Sequence, residues 1–199
     1  PWDQRLCAVP DGDLFKEITA GRMSVVTDRI ERFTSEGIRL CSGETLRADL
    51  IVLATGLKVQ PLGAVKISVD GRTIDYAETM VYRGAMLSGV PNMVHTFGYT
   101  NSSWTLRADL IAAYIGRIVA YMRRHGFDSV TAVRDPAVGE MPFIDFNSGY
   151  VLRALPLLPK QGDRFPWRIH QNYLRDLFIT LFSKLRDPAL RFGRREAGT

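Results

Sequence analysis

Cysteine is almost absent: Cys7 and Cys41 stand alone, too few and too far apart for a disulfide framework or for the paired spacing of a metal or redox site. They read as two buried reduced thiols in a cytoplasmic protein, free or membrane-associated. No apolar run approaches the roughly 20 residues that a membrane-spanning helix needs, and no signal peptide is visible. A Gly-x-Gly-x-x-Gly segment is missing too, so the sequence lacks the turn that cradles dinucleotide phosphates. There is no Ser/His/Asp order, no Cys/His pair and no paired-carboxylate constellation, which leaves a hydrolase without support. The formal charge of +5 is spread thinly apart from Arg123-Arg124 and the tail Arg191, Arg194 and Arg195, and no basic stripe alternates with aromatics. That excludes nucleic acid as the expected partner. Of the three histidines, His125 falls at a helix end, where a cation complements the dipole. His95 and His170 have no acid or metal-ligand spacing around them and read as structural, so no metal is expected. The first residue is Pro1, not Met, and the expectation is a fragment, a processed product or a partial chain.

What is present is an ordinary globular composition, 46% hydrophobic and 24% charged. The stretch Ala48 to Gly56 is the most telling: five apolar residues, Leu50 to Ala54, closed by Thr55-Gly56. Its pattern predicts a strand buried on both faces, as in a parallel sheet covered by helices. A terminal glycine there lets a ligand approach the backbone, and ligands bind at the carboxyl ends of such strands. Upstream, Pro10 to Ile18 predicts a helix closed by Gly21, with Asp11 or Asp13 as N-cap. Met23 to Phe33, Ile38 to Cys41 and Thr45 to Ala54 then read as a β-meander. Residues 57–95 are loop-rich, with strand candidates at Lys66 to Val69, Met80 to Leu87 and Met93 to Thr96. From Trp104 to Arg124, apolar residues recur at helical spacing and Gly126 provides the stop. Residues 128–168, punctuated by five prolines, read as ordered loop and short turns, followed by an amphipathic helix from His170 to Leu185. The fold class is α/β with too few strands for a complete doubly wound sheet.

Two places carry candidate chemistry. Phe97-Gly98-Tyr99-Thr100-Asn101-Ser102-Ser103 leads straight into the long helix, whose first amides have no partner within the helix and favour an anion or an electron-rich carbonyl. A plain helix cap explains the same residues. Arg5 lies in Trp2-Asp3-Gln4-Arg5-Leu6; its guanidinium suits stabilisation of an oxyanion, or it forms a salt bridge with Asp3.

Several segments in order, Pro1 to Cys7, Val9 to Lys16, Ala48 to Gly56, Phe97 to Leu106, Leu158 to Gly162, Pro166-Trp167 and Gln171-Asn172-Tyr173, resemble the C-terminal part of flavin-containing monooxygenases of the Baeyer–Villiger type, nearest to their ethionamide-activating branch. The resemblance fades after Tyr173. It implies a partial FAD/NAD(P)-binding, two-dinucleotide-binding fold over residues 1–127, with a loop-rich and then helical extension over residues 128–199. It further implies an enzyme that reduces FAD with NADPH, reacts with O2, and passes one oxygen atom to a ketone or to a sulfur or nitrogen atom of a small molecule. Arg5, followed six residues later by Asp11, matches the family's catalytic arginine, although Gln4 replaces the usual basic neighbour. Thr55 and Gly56 match a late flavin-domain motif, and Gly98, Tyr99, Asn101 and Ser102 match the turn that faces the flavin. The main FAD and NADPH motifs would lie outside this sequence, so the chain by itself should hold neither cofactor tightly. Two other readings stand beside this one: a related flavin- and NAD(P)H-dependent reductase without oxygen insertion, and a cofactor-free interaction module. Substrate identity and oligomeric state are not written in the sequence.

Overall fold

The computed structural model describes residues 9–56, 58–146 and 148–194. The chain divides into two compact units, Pro1–Leu57 and Lys58–Thr199. This division falls well before residue 127, and the physical reason is that the long helix shares its core with the strands and helices C-terminal to it.

In the first unit a 3-10 turn at Pro10–Gly12 leads into α1 (Asp13–Thr19). The N-cap of α1 is Gly12, in the left-handed region at φ 66° and without a side-chain cap bond, so neither Asp11 nor Asp13 takes that role. Strands β1 (Ile30–Thr34), β2 (Gly37–Leu40) and β3 (Thr45–Arg47) form an antiparallel sheet in that order. Ile38 stands opposite both Phe33 and Leu46. The meander is therefore present, but its first strand starts at Ile30 and its third ends at Arg47. Gly37 is obligatory in this turn: at φ 144° its α-carbon faces the Leu46 carbonyl, and a Cβ would also come within 3.0 Å of Ala48 N.

The doubly buried strand expected at Leu50 to Ala54 does not form: residues 48–56 carry no strand, and Leu50, Val52 and Leu53 are 81%, 77% and 70% exposed. Strand formation depends on neighbours that complete the ladder and cover both faces, and no strand of the described residues pairs with this run. Cys41 is likewise exposed rather than buried, since it follows the end of β2 in the turn to β3. Cys7 and Arg5 lie outside the described residues.

The second unit begins with a 3-10 turn at Pro61–Ala64 and two hairpins: β4 (Ser68–Val69) with β5 (Arg72–Thr73), then β6 (Val81–Tyr82) with β7 (Met86–Leu87). Arg83 and Gly84 open the three-residue turn of the second hairpin, residues 83–85, with φ of 50° and 66°, and Ala85 N–H closes it on Tyr82 O at 2.9 Å. This hairpin, not residues 50–54, is the doubly buried element. Met80, Tyr82 and Met86 pack into one apolar cluster with Ile111, Tyr114, Ile118 and Trp167. Val81 and Leu87 point the other way, toward Phe143, Ala154, Leu158 and Ile169, as the two-residue period of a strand requires.

Helix α2 (Trp104–His125) ends as expected at Gly126, which adopts φ 67° while Phe127 N–H returns to Met122 O at 3.0 Å. After it come β8 (Ser129–Ala132), β9 (Glu140–Pro142), α3 (Gly149–Ala154), β10 (Lys160–Gly162), α4 (Tyr173–Phe182) and β11 (Leu190–Gly193). Strands β8 and β11 pair, as do β9 and β10, both antiparallel. Met93 to Thr96 is not a strand, although His95 N–H bonds Ala85 O at 2.8 Å. α4 is shorter than the pattern predicts because the Asn172 side chain accepts from Arg175 N–H at 3.0 Å and fixes the start. Among the described residues the architecture is mixed α/β with antiparallel ladders, and no helix is long and apolar enough to cross a membrane.

Candidate functional site

Gly98 to Ser103 runs from the core to the start of α2. The space beside Gly98 is filled by Trp104: an added Cβ would run into its indole ring and lie 2.7 Å from its Cα. Glycine is required here by the close approach of the helix's first residue. The Phe97 ring lies 5.2 Å from that of Trp104 and packs in turn against Phe143 at 4.8 Å.

Tyr99 points inward and is 1% exposed. Its hydroxyl donates to Asp176 Oδ2 at 2.8 Å, and the Arg107 guanidinium lies over its ring, 5.1 Å from the centroid. Arg107, 4% exposed, also approaches Asp176 Oδ2 at 3.7 Å and donates to His170 O at 3.2 Å. Gly84 closes the other side, since a Cβ there would lie 3.0 Å from Arg107 Cζ. Burial pushes the Tyr99 hydroxyl and the Asp176 carboxyl above their ordinary pKa ranges, while the Tyr99 bond and the Arg107 charge partly offset this for Asp176. The bond to Asp176 itself adds to the rise at Tyr99.

The next residues face outward. Thr100 N–H donates to Gln171 Oε1 at 2.9 Å, and Asn101 Nδ2 donates to Gln171 O at 3.1 Å. Ser103 is the N-cap of α2, yet its hydroxyl pairs with Thr105 Oγ1 at 2.7 Å and caps no backbone amide. The N-cap residue of a 22-residue helix thus makes no side-chain cap bond, at the end where the positive pole of the helix dipole lies. Thr100 also borders a cleft of about 290 Å³ lined by Phe143, Ile144, Phe146, Arg168 and Gln171.

Gly98, Tyr99, Asn101 and Ser102 therefore share one turn, although Tyr99 is wholly spent on the interior. Thr55 and Gly56 belong to the first unit, where both are exposed and Gly56 adopts φ 92°. Sequence reasoning missed Arg107, Gln171 and Asp176. Arg107 carried a signal, since it falls on the same helical stripe as Leu110, Ile111, Tyr114 and Ile118. His95 is half-buried, and desolvation holds it down at about 4, with Arg107 a further cause, so it is neutral at physiological pH. No cluster of metal-ligating side chains occurs among the described residues.

The comparisons define the class first. Over 198 residues, 99% of the chain, it is 54% identical to FAD-containing monooxygenase EthA of Mycobacterium tuberculosis and 52% identical to EthA of Mycolicibacterium smegmatis. It is 48% identical over 197 residues, 98% of the chain, to an Acinetobacter protein described as Probable FAD-binding monooxygenase AlmA. In each case it spans 40% of the relative's length. No family model and no solved structure matches the chain. The class that the chain resembles is that of the FAD-containing monooxygenases. Within it, the chain is similar to a part of EthA that makes up 40% of that protein's length.

Proposed function

We propose that the protein to which this chain belongs is an FAD- and NADPH-dependent monooxygenase that transfers one oxygen atom from O2 to a ketone, or to a sulfur or nitrogen atom of a small molecule. The observation that carries this reading is the 54% identity to an FAD-containing monooxygenase over 198 residues. In this reading the chain completes an FAD/NAD(P)-binding protein whose phosphate-binding turns lie in its other parts. FAD, when bound, supplies the electron transfer and the oxygen activation.

This chain's residues supply orientation and charge. The start of α2 fits a ring that becomes anionic on reduction, because the positive pole of the helix dipole lies there and the Ser103 side chain makes no cap bond. Ser102 and Asn101 border that start, while Gly98 allows Trp104 to sit close beneath it. Thr55 and Gly56 are assigned to the cofactor side, where a residue without a Cβ permits close approach. Arg5 is assigned the stabilisation of negative charge developing on oxygen, since a guanidinium stays cationic at any working pH.

The test is Arg5→Ala in the full-length enzyme, with stopped-flow measurement of each half-reaction. Hydride transfer to the flavin does not require an oxyanion partner, so reduction by NADPH should persist. Oxygenated product should fall by about 10²–10³, the range for losing one preorganised donor. Unchanged product formation would remove Arg5 from the mechanism. NADPH oxidation with no oxygenated product in the unmodified enzyme would favour a reductase.

A further inference from the structure

We propose that the open cleft between the connections at residues 133–138, 164–167 and 183–189 is a binding site for a small organic anion, one that carries a carboxylate or phosphate group on an apolar body. No residue of the turn from Gly98 to Ser103 lines it, so the site is separate from the one described above.

The three connections join β8 to β9, β10 to α4, and α4 to β11, and they hold no helix or strand of their own. Backbone bonds between them fix the walls. Val133 N–H donates to Ala189 O at 2.8 Å, which ties the segment after β8 to the one before β11. Arg83 N–H donates to Pro166 O at 2.8 Å and anchors the hairpin turn to the proline loop. Asp163 N–H donates to Gly139 O at 3.1 Å, and the Arg164 guanidinium donates to Ala137 O. Walls held in this way are in place before a ligand arrives. The space they enclose, about 710 Å³, is within the roughly 300–1,000 Å³ of small-molecule pockets.

The lining selects for negative charge. Arg83, Arg134, Arg164, Lys184 and Arg186 border the cleft, against two carboxylates, Asp135 and Asp187. Asp187 is taken by Arg83 at 3.3 Å and Asp163 by Arg164 at 2.9 Å, while Glu140 is shared by Arg134 at 2.7 Å and Lys160 at 2.6 Å. Lys184 has no ion-pair partner among the described residues, and Arg186 donates to the neutral Tyr121 hydroxyl at 3.3 Å. The positive charge is therefore in excess. Two of the guanidiniums also keep a buried donor without an acceptor, Arg83 Nε and Arg134 Nε. Buried donors are normally paired, so two arginines of one lining hold unused capacity for an oxyanion. Guanidinium forks match the oxygens of a carboxylate or phosphate two at a time. Phe165, Pro166, Pro188 and Val133 supply an apolar wall beside these charges, which suits a ligand with an apolar body behind its charged end.

The experiment is isothermal titration calorimetry of the full-length, FAD-loaded protein, with NADP+ in excess to fill any dinucleotide phosphate site. The probes are phenyl phosphate, benzoate, inorganic phosphate and benzyl alcohol. At least one of the two aromatic anions should bind, and the tighter of them identifies the charged group. Inorganic phosphate should bind more weakly than phenyl phosphate, and benzyl alcohol should not bind. Lys184→Gln and Arg186→Gln should each weaken the aromatic anion by about fivefold, the effect of one exposed charge pair. Both side chains are exposed, so the urea unfolding midpoint should not move. Arg175→Gln, which removes an exposed cation outside the cleft, should leave binding at the wild-type value. Absence of binding by both aromatic anions would overturn the proposal. So would binding that neither cleft variant weakens, or that Arg175→Gln weakens equally, since the anion would then lie elsewhere or respond to net charge alone. Benzyl alcohol binding as tightly as the anions would overturn the charge requirement, and inorganic phosphate binding as tightly as phenyl phosphate would overturn the apolar body.

Discussion

Replacing Arg107 by Met removes a buried positive charge and keeps most of the aliphatic stem. In the native protein that charge lies 3.7 Å from Asp176 Oδ2, both side chains being largely buried. Breaking a buried pair by removing one partner costs about 3–5 kcal/mol, since the remaining charge is left uncompensated. Asp176 can limit the loss by taking a proton, and its pKa is already raised by burial. Without Arg107 it should rise further. An acid that is protonated in the folded state and ionised in the unfolded state lowers stability by about 1.36 kcal/mol for each pH unit of increase. The destabilisation should therefore be smallest at the acid end and should grow as pH rises from 5 toward 7. Urea unfolding of wild type and Arg107→Met at intervals between pH 5 and 8 measures this directly. A loss that is equal at every pH, or below about 1 kcal/mol at pH 7, would refute the assignment of Arg107 as the counter-charge of a buried carboxylate.

Gly98→Ala should destabilise the second unit by about 1–3 kcal/mol, the range for overpacking, because the added methyl meets Trp104; an unchanged melting temperature would show that the helix start yields freely. His95, held at about 4 by burial, binds its proton more weakly folded than unfolded. Its contribution to stability is complete above about pH 6.5 and is lost as pH falls from there toward 4, by about 3 kcal/mol in total. A His95→Leu variant should lose that part of the acid sensitivity in a pH series of unfolding curves, and a curve parallel to wild type would contradict it.

Local pattern makes α2 legible: the apolar stripe, the polar residues before Trp104 and the glycine after His125 all act within a few residues of one another. The hairpin at residues 80–87 is visible as a strand candidate, but its central place in the core comes from side chains as distant as Trp167 and Ile169. Leu50 to Ala54 shows the opposite limit. Its apolar content states what the run would bury, whereas strand formation also needs partners, and the described residues provide none. The candidate turn is recognisable by type of residue, yet the roles within it are not. Asn101 reads as a cap or ligand donor and is engaged by Gln171, 70 positions away. Tyr99 reads as part of a surface motif and is buried against Asp176, 77 positions away. Such pairings are set by how α2 and α4 pack, which no short window of sequence encodes.

The central claim is that this chain is part of a flavin monooxygenase and that its residues serve an FAD- and NADPH-dependent oxygen transfer. The most direct measurement is made on the purified full-length protein: flavin content by absorbance, then NADPH oxidation and product formation with a ketone and with a thioether, in air and without oxygen. The account predicts bound FAD and an oxygenated product that requires both NADPH and O2. A full-length protein that retains no flavin after incubation with FAD, or that yields no oxygenated product from either substrate while consuming NADPH, would contradict it.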